Sequence, residues 1–269
     1  MSLPKDPPHP LSDARLERFA RHIVLPEIGG AGQVKLARAH IALIGLGGIG
    51  SPVLQYLAGA GVGRFTLVDD GKVETSNLQR QTIYATRDVG HGKAVVARQW
   101  LADFDVKLAV EIHDARITKS NAASLIESAD LVIDGTDNFA TRLAISDACV
   151  ASGIPLLSAA IGRFQGQVGA FAGHIVDQPC YRCFVGDAFD AEDCDTCAED
   201  GVLGAMVGWT GTLAAMQAIR VIVAPQMGPP DFGKLHLMDG LKPGMRTLAI
   251  AKDTACKACG DQEGRAPKS

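Results

Sequence analysis

Between residues 40 and 158, short apolar runs alternate with stretches of helical periodicity, and this alternation restricts the chain to few folds. The runs at 40–44, 64–68, 107–113, 131–134 and 155–158 are predominantly apolar rather than alternating, as strands buried on both faces are. The segments 49–60, 93–104, 119–128 and 139–152 carry apolar residues at helical spacing. Repeated strand–helix units of this kind predict an α/β fold: a doubly wound, mostly parallel, Rossmann-like sheet. After residue 160 the pattern changes. Residues 167–173, 234–239 and 246–251 read as strands of an antiparallel C-terminal extension, and 207–223 reads as an apolar helix. Ahead of the first strand, Ser12 or Asp13 can cap a helix running through Phe19, followed by a short helix at 32–38.

A chain of 269 residues suits one large domain, expected over residues 11–260. Residues 1–10, which hold four prolines, and 261–269 are expected to be disordered tails. Lys and Arg number 26 against 30 Asp and Glu, a net charge of −4 that argues against nucleic-acid binding as the main activity. Residues 202–219 are uncharged and long enough to raise a membrane question. Gly204, Gly208, Thr210, Gly211, Thr212 and Gln217 interrupt the run, and Arg220 follows it, so a buried core helix is expected. No basic-plus-apolar leader opens the chain, so a cytoplasmic protein is expected and its seven cysteines read first as metal ligands or redox groups.

The first strand runs into Gly45-Leu46-Gly47-Gly48-Ile49-Gly50 and then a helix. Glycines there let backbone N–H groups and the helix N-terminus approach a phosphate. Asp69 ends the second strand, where an acid can hydrogen-bond a ribose hydroxyl. Alone, these features suit a dinucleotide-dependent oxidoreductase. Arg80, within Ser76-Asn77-Leu78-Gln79-Arg80-Gln81, and Lys93, opening the next helix, point instead to a triphosphate. Asp137 follows the strand 131–134 at its carboxyl end, where doubly wound sheets bind ligands. It can hold a magnesium ion, or N-cap the helix 139–152, or both.

Cys180-Tyr181-Arg182-Cys183 and Cys256-Lys257-Ala258-Cys259 form two CxxC knuckles, the ligand set of a closed tetrahedral zinc site. Zinc there would staple the tail onto the antiparallel extension. A third CxxC, Cys194-Asp195-Thr196-Cys197, lies among the acids Glu192, Asp193, Asp195 and Glu199, which raise thiol pKa values. Cys149 lies within an apolar helix and is expected to pack in the core.

Taken in order, the GxGGxG loop, the acid at 69, SNLQRQ, the Gly90-to-Lys93 GxxK and DGTDN at 134–138 resemble the ubiquitin-activating-type adenylyltransferase superfamily, in its MoeB/ThiF/HesA branch. The likeness extends from about Leu16 to Cys259 and is closest to the sulfur-carrier protein adenylyltransferases. It implies ATP and magnesium, and as partner a small ubiquitin-like sulfur-carrier protein ending in Gly-Gly. The carrier's carboxylate would attack the α-phosphate, pyrophosphate would leave, and an acyl-adenylate would remain for sulfur transfer. The resemblance makes Gly45, Gly47, Gly48 and Gly50 the nucleotide loop and Asp69 the ribose ligand. Asn77, Arg80 and Lys93 become phosphate contacts, and Asp137 the acid near magnesium. Arg21 matches an arginine that reaches the neighbouring subunit's ATP, implying a homodimer. Cys197 matches a cysteine that takes an acyl or persulfide group, with Cys194 a resolving partner or incidental. The family carries the four-cysteine zinc site too. Gly71 departs from the pattern, since many members place an acid there. The readings that stay open are activation of a tRNA-bound carboxylate, as in threonylcarbamoyladenosine dehydratases, an oxidoreductase, and a non-catalytic nucleotide-binding module. No rhodanese-like segment follows residue 269, so a separate sulfur donor is expected.

Overall fold

The computed structural model describes residues 11–186, 201–242 and 244–260. Eight strands make one sheet. Five are parallel: β1 (His40–Ile44), β2 (Arg64–Val68), β3 (Ala109–His113), β4 (Leu131–Asp134) and β5 (Leu156–Gly162). Three more, β6 (Gln165–Phe171), β7 (Lys234–Asp239) and β8 (Gly244–Ala249), continue it antiparallel. The order is β3-β2-β1-β4-β5-β6-β7-β8, so the chain reverses direction across the sheet between β1 and β4. The crevice at that reversal, outside the carboxyl ends of the strands, is where such sheets take ligands.

Helices cover both faces because successive residues of each buried strand point to opposite sides. Ile41 and Leu43 share one apolar cluster with α3 (Gly29–Arg38), α4 (Gly50–Ala60), α5 (Lys93–Phe104) and α9 (Gly204–Val223). Ala42 and Ile44 share the other with α6 (Ala122–Ile126), α7 (Phe139–Ser152) and α8 (Tyr181–Val185). Two short helices, α1 (Asp13–Arg18) and α2 (Ala20–Ile23), precede α3.

Several boundaries differ from the pattern-based expectation. β5 continues to Gly162 because it pairs along its whole length with β6, through a hairpin whose turn holds Arg163 at a φ of 49°. The first helix stops at Arg18, and the chain bends at Phe19 before α2; neither Ser12 nor Asp13 caps it with a side chain. α9 is long and apolar enough to pass for a membrane span by composition alone. Here its Met206, Val207, Ala214, Ala215 and Ala218 lie in the core, and Gly211 abuts Pro52 of α4. It is a core helix. Every residue of β8 is exposed, as befits an edge strand.

Candidate active site

The glycine loop links β1 to α4. Gly45 sits at a φ of 85°, and a methyl on Gly50 would overlap the Gly45 carbonyl, so both positions require glycine. The backbone N–H groups of Gly47, Gly48 and Ile49 donate to no acceptor among the described residues. Three free donors at the start of a helix make an anion cradle.

Asp69 fixes this loop from the side. One carboxylate oxygen accepts the Leu46 N–H at 2.7 Å and the other the Gly71 N–H at 2.7 Å. The Tyr84 hydroxyl donates to the Leu46 carbonyl at 2.8 Å, so Leu46 is held through both of its backbone groups. Lys93 opens α5 next to this acid: a Cβ added to Gly71 would lie 3.0 Å from Asp69 Oδ1 and 3.5 Å from Lys93 Nζ. That proximity gives Gly71 a physical reading, since a side chain there would crowd the lysine. The adjacent Asp70 is turned outward and accepts from Arg116 Nε at 3.1 Å.

The segment after Asn77 lies along the loop. Arg80 is half-buried, with its Cδ 3.9 Å from where a Gly48 Cβ would sit, and its guanidinium donates to the Ser76 carbonyl at 2.9 Å. Asn77 is buried; its carboxamide oxygen accepts the Glu74 N–H at 3.2 Å and so closes the turn that carries Arg80. Lys93 on the Asp69 side and Arg80 on the Gly48 side give the cradle two cationic borders.

Asp137 is exposed and accepts no hydrogen bond among the described residues. The N-cap of α7 is its neighbour Asn138, whose Oδ1 accepts the Thr141 N–H at 3.0 Å. The capping role open to Asp137 in the sequence therefore falls to Asn138, and Asp137 stays available. Behind it, the fully buried Asp134 accepts from Thr136 N at 2.9 Å and Thr136 Oγ1 at 2.7 Å. Arg142, also buried, donates to the carbonyls of Thr136 and Ala159 and to Ser158 Oγ.

Arg21 is exposed and stands apart from this assembly. Phe19, two residues earlier, packs against Gly61, just past the C-terminal end of α4. The glycine loop is at the other end of that helix, about 16 Å away. Arg15 and Arg18 tie α1 to Asp105 and to the Phe104 carbonyl, beyond the C-terminal end of α5. The helix bearing Arg21 is thus anchored at the ends of α4 and α5 remote from the cradle.

The four knuckle cysteines meet. Their sulfurs all lie within 4.8 Å of one another, with Cys180–Cys183 at 3.9 Å, Cys180–Cys256 at 3.6 Å and Cys183–Cys259 at 3.4 Å. A tetrahedron of Zn–S bonds near 2.3 Å separates its sulfurs by about 3.8 Å. The donor set therefore fits zinc. Burial pushes the Cys180 thiol up and the Cys259 thiol to about 11. Cys149 is buried in the core as expected. Cys194 and Cys197 lie outside the described residues, although Gly201 and Leu203 are pinned to Arg163 at 3.0 and 3.1 Å and Gly204 abuts Gln79.

Residues 19–258 match the sequence profile of the ThiF family. The chain belongs to that family. Among its curated members, the sulfur carrier protein adenylyltransferase of Thermus thermophilus is 41% identical over 250 residues, covering 92% of each chain. The SAMP-activating enzyme E1 of Haloferax volcanii is 36% identical over 93% of this chain and 91% of its own. The bovine adenylyltransferase and sulfurtransferase MOCS3 is 38% identical and longer: this chain spans 56% of it. Of solved structures, E. coli MccB superposes with a TM-score of 0.78 at 20% identity, over 98% of this chain and 77% of that one. PaaA gives 0.76 at 20% identity, over 94% and 79%. These two speak for the fold alone.

Within this ThiF-family site, sequence reasoning passed over Asp134, Arg142, Asn138 and Tyr84. Arg142 had a signal: an arginine followed by Leu143, Ala144 and Ile145 in an apolar helix is a charge on a buried face. Tyr84 had none, because its partner Leu46 belongs to a distant loop.

Proposed function

We propose that this protein adenylylates the C-terminal carboxylate of a small ubiquitin-like sulfur-carrier protein, using ATP, and so activates it for sulfur transfer. The Thermus relative, whose name states this activity and which aligns over 92% of each chain, carries the proposal. The cradle of free N–H groups with cationic borders supports it, since adenylylation needs triphosphate charge to be neutralised while pyrophosphate leaves. Adenylyltransferase relatives favour neither an oxidoreductase nor a tRNA-directed enzyme.

In this reading Gly47, Gly48 and Ile49 N–H groups receive phosphate oxygens, Lys93 and Arg80 neutralise them, and Asp69 takes the ribose. Asn77 holds Arg80 in place. Asp137 would hold magnesium, which supplies further charge neutralisation at the phosphates. The carrier's carboxylate is ionised near neutral pH and requires no base. Zinc on Cys180, Cys183, Cys256 and Cys259 is structural, because four thiolates leave no open position. Cys197 is the proposed acceptor either of the carrier's acyl group, taken from the acyl-adenylate as AMP leaves, or of the outer sulfur of a separate donor's persulfide, whose thiol is released. A cytoplasmic homodimer completes the proposal: Arg21 is anchored too far from its own cradle, and Tyr56, Trp209 and Met216 leave apolar surface exposed on α4 and α9.

ATP–pyrophosphate exchange measured with and without a Gly-Gly-terminated carrier tests the activity. Carrier-dependent exchange is expected. Exchange that ignores the carrier, or is absent with it, overturns the proposal.

A further inference from the structure

Two consecutive residues after Asn77 address two consecutive glycines of the loop. Arg80 borders Gly48, and Gln81 borders Gly47. Among the described residues, a Cβ built on Gly47 would find a single heavy atom within 4 Å outside the adjoining residues, Gln81 Nε2 at 3.6 Å. The space over Gly47 is otherwise open, and Gly47 and Gly48 are both partly exposed. Gln81 itself is no surface residue. It is 3% exposed, its Oε1 is sealed from solvent, and its carboxamide makes no hydrogen bond among the described residues.

A buried carboxamide without partners costs stability, because it has given up water and gained nothing in exchange. Gln81 is nevertheless placed firmly. Its N–H donates to the Asn77 carbonyl at 3.0 Å, and its carbonyl accepts from the Tyr84 N–H at 3.1 Å. Next to it, Thr82 Oγ1 donates to Gln55 Oε1 of α4 at 3.1 Å, and the Tyr84 hydroxyl holds the Leu46 carbonyl. The backbone around Gln81 is thus tied to the loop at Leu46 and to the helix beyond it. This frame, and no hydrogen bond of its own, holds the amide against Gly47. A half-turn about the last side-chain torsion exchanges amide nitrogen and oxygen, so the donor can always face the open space. Around Gly47 the N–H of the glycine, the N–H of Gly48 and the Gln81 amide are all donors without acceptors among the described residues. An acceptor-rich anion satisfies all three.

We infer that Gln81 is a further ligand of the nucleotide's phosphates, donating from its carboxamide to an oxygen held over Gly47. The inference rests on the proposal that this loop takes ATP, and its test separates the two. Arg80 and Lys93 supply charge, whereas Gln81 supplies direction. A neutral amide fixes where one phosphate oxygen lies but attracts pyrophosphate less strongly than a third cation would. It orients the triphosphate without adding to the hold on the leaving group.

The test uses the full chain carrying Gln81→Met, which keeps the length and apolar packing of the side chain and removes the amide. Gln81 has no side-chain hydrogen bond to lose, so the melting temperature without nucleotide should stay equal or rise. The dissociation constant for ATP, measured by titration calorimetry, should increase about tenfold or more. That for adenosine, which has no phosphate, should stay within about twofold. Gln81→Asn, which withdraws the amide by one methylene or about 1.5 Å, should weaken ATP binding by a comparable factor. ATP binding equal to that of the unmodified protein in either variant overturns the inference and leaves the nucleotide loop standing. A lowered melting temperature in Gln81→Met, or equal losses for ATP and adenosine, assigns Gln81 to packing and overturns it too. An unmodified protein that binds no ATP overturns the proposed function, and the inference with it.

Discussion

The Arg15 guanidinium is ion-paired with the Asp105 carboxylate just past the C-terminal end of α5, whose N-terminal end carries Lys93. Burial raises the Asp105 carboxyl, but the Lys107 N–H and Arg15 outweigh it and hold the group below the usual carboxylate range. A depressed carboxyl contributes stability that is present above its unfolded pKa, near 3.9, and lost as pH falls through the folded value. Asp105→Asn should therefore lower stability by about 2–3 kcal/mol at neutral pH, because it leaves a largely buried Arg15 uncompensated. The deficit should shrink below about pH 4. Thermal melts of both proteins between neutral and acid pH check this; parallel curves down to the lowest pH would refute it.

Asp137 and its neighbour Asn138 should separate cleanly. Asn138 caps α7, so Asn138→Ala should cost about 1 kcal/mol of stability. Asp137 is exposed and accepts no hydrogen bond among the described residues, so Asp137→Ala should shift the melting temperature by less than Asn138→Ala does. Its carrier-dependent ATP–pyrophosphate exchange should drop by roughly two orders of magnitude or more. An Asp137→Ala variant destabilised as much as Asn138→Ala, or one with near-normal exchange, would contradict the assignment.

Much of this was legible in the sequence for a definite reason. Strands buried on both faces leave continuous apolar runs, so β1, β2 and β4 were placed to the residue, and Lys93–Phe104 and Phe139–Ser152 likewise. The glycine loop was readable because two of its positions tolerate no side chain. What escaped depends on long-range approach. The β5–β6 hairpin turns at Arg163, which adopts a left-handed conformation without the glycine that ordinarily signals it. The choice of Asn138 over Asp137 as cap was one residue beyond what spacing resolves. The reach of Arg142 to Ser158 and Ala159 joins positions on separate elements, and no local pattern encodes it.

Metal analysis should find one zinc per chain, lost in Cys256→Ser. Structural thiolate sites contribute about 10–16 kcal/mol in small peptides. Even about 3 kcal/mol of that would lower the melting temperature by roughly 6–12 °C in a domain of this size. Chelation should produce that drop, and zinc readdition reverse it. Protein purified without chelator yet free of zinc would refute the site.

His40 gives a second pH dependence, of separate origin. It is buried at the start of β1, with Nδ1 2.6 Å from the Ser128 carbonyl and Nε2 2.9 Å from Thr66 Oγ1. Neutral imidazole satisfies both, donating from Nδ1 and accepting at Nε2. Burial lowers its pKa below the usual histidine value, the Ser128 carbonyl and Asp130 opposing and Arg64 assisting. A histidine depressed on folding binds its proton more readily when unfolded, so stability is full above about pH 6.5 and declines as pH falls toward the folded value. Melting temperature should fall between pH 7.5 and 5.5 in the unmodified protein, and His40→Gln should flatten that slope. Equal slopes would assign the effect to His174 or His236, which burial also lowers.

The placement of Arg21 leads to the last prediction. Phe19 seats α2 against Gly61, and Arg15 and Arg18 hold α1 at Asp105 and Phe104, so the helix pair cannot swing toward the cradle at the far ends of α4 and α5 without breaking these contacts. If Arg21 serves adenylylation, it serves a neighbour's site. In a two-fold dimer the exchange is reciprocal, each chain supplying one arginine and receiving the other. Arg21→Ala and Asp137→Ala should each be inactive alone. Mixed in equal amounts under subunit exchange, half the dimers become hybrids. Each hybrid holds one site with both residues intact, so activity should return to about a quarter of the unmodified level. Exchange is confirmed independently by tagging the two variants differently and recovering both from one affinity step. Confirmed hybrids with no activity would place Arg21 in its own chain's chemistry or outside the chemistry altogether.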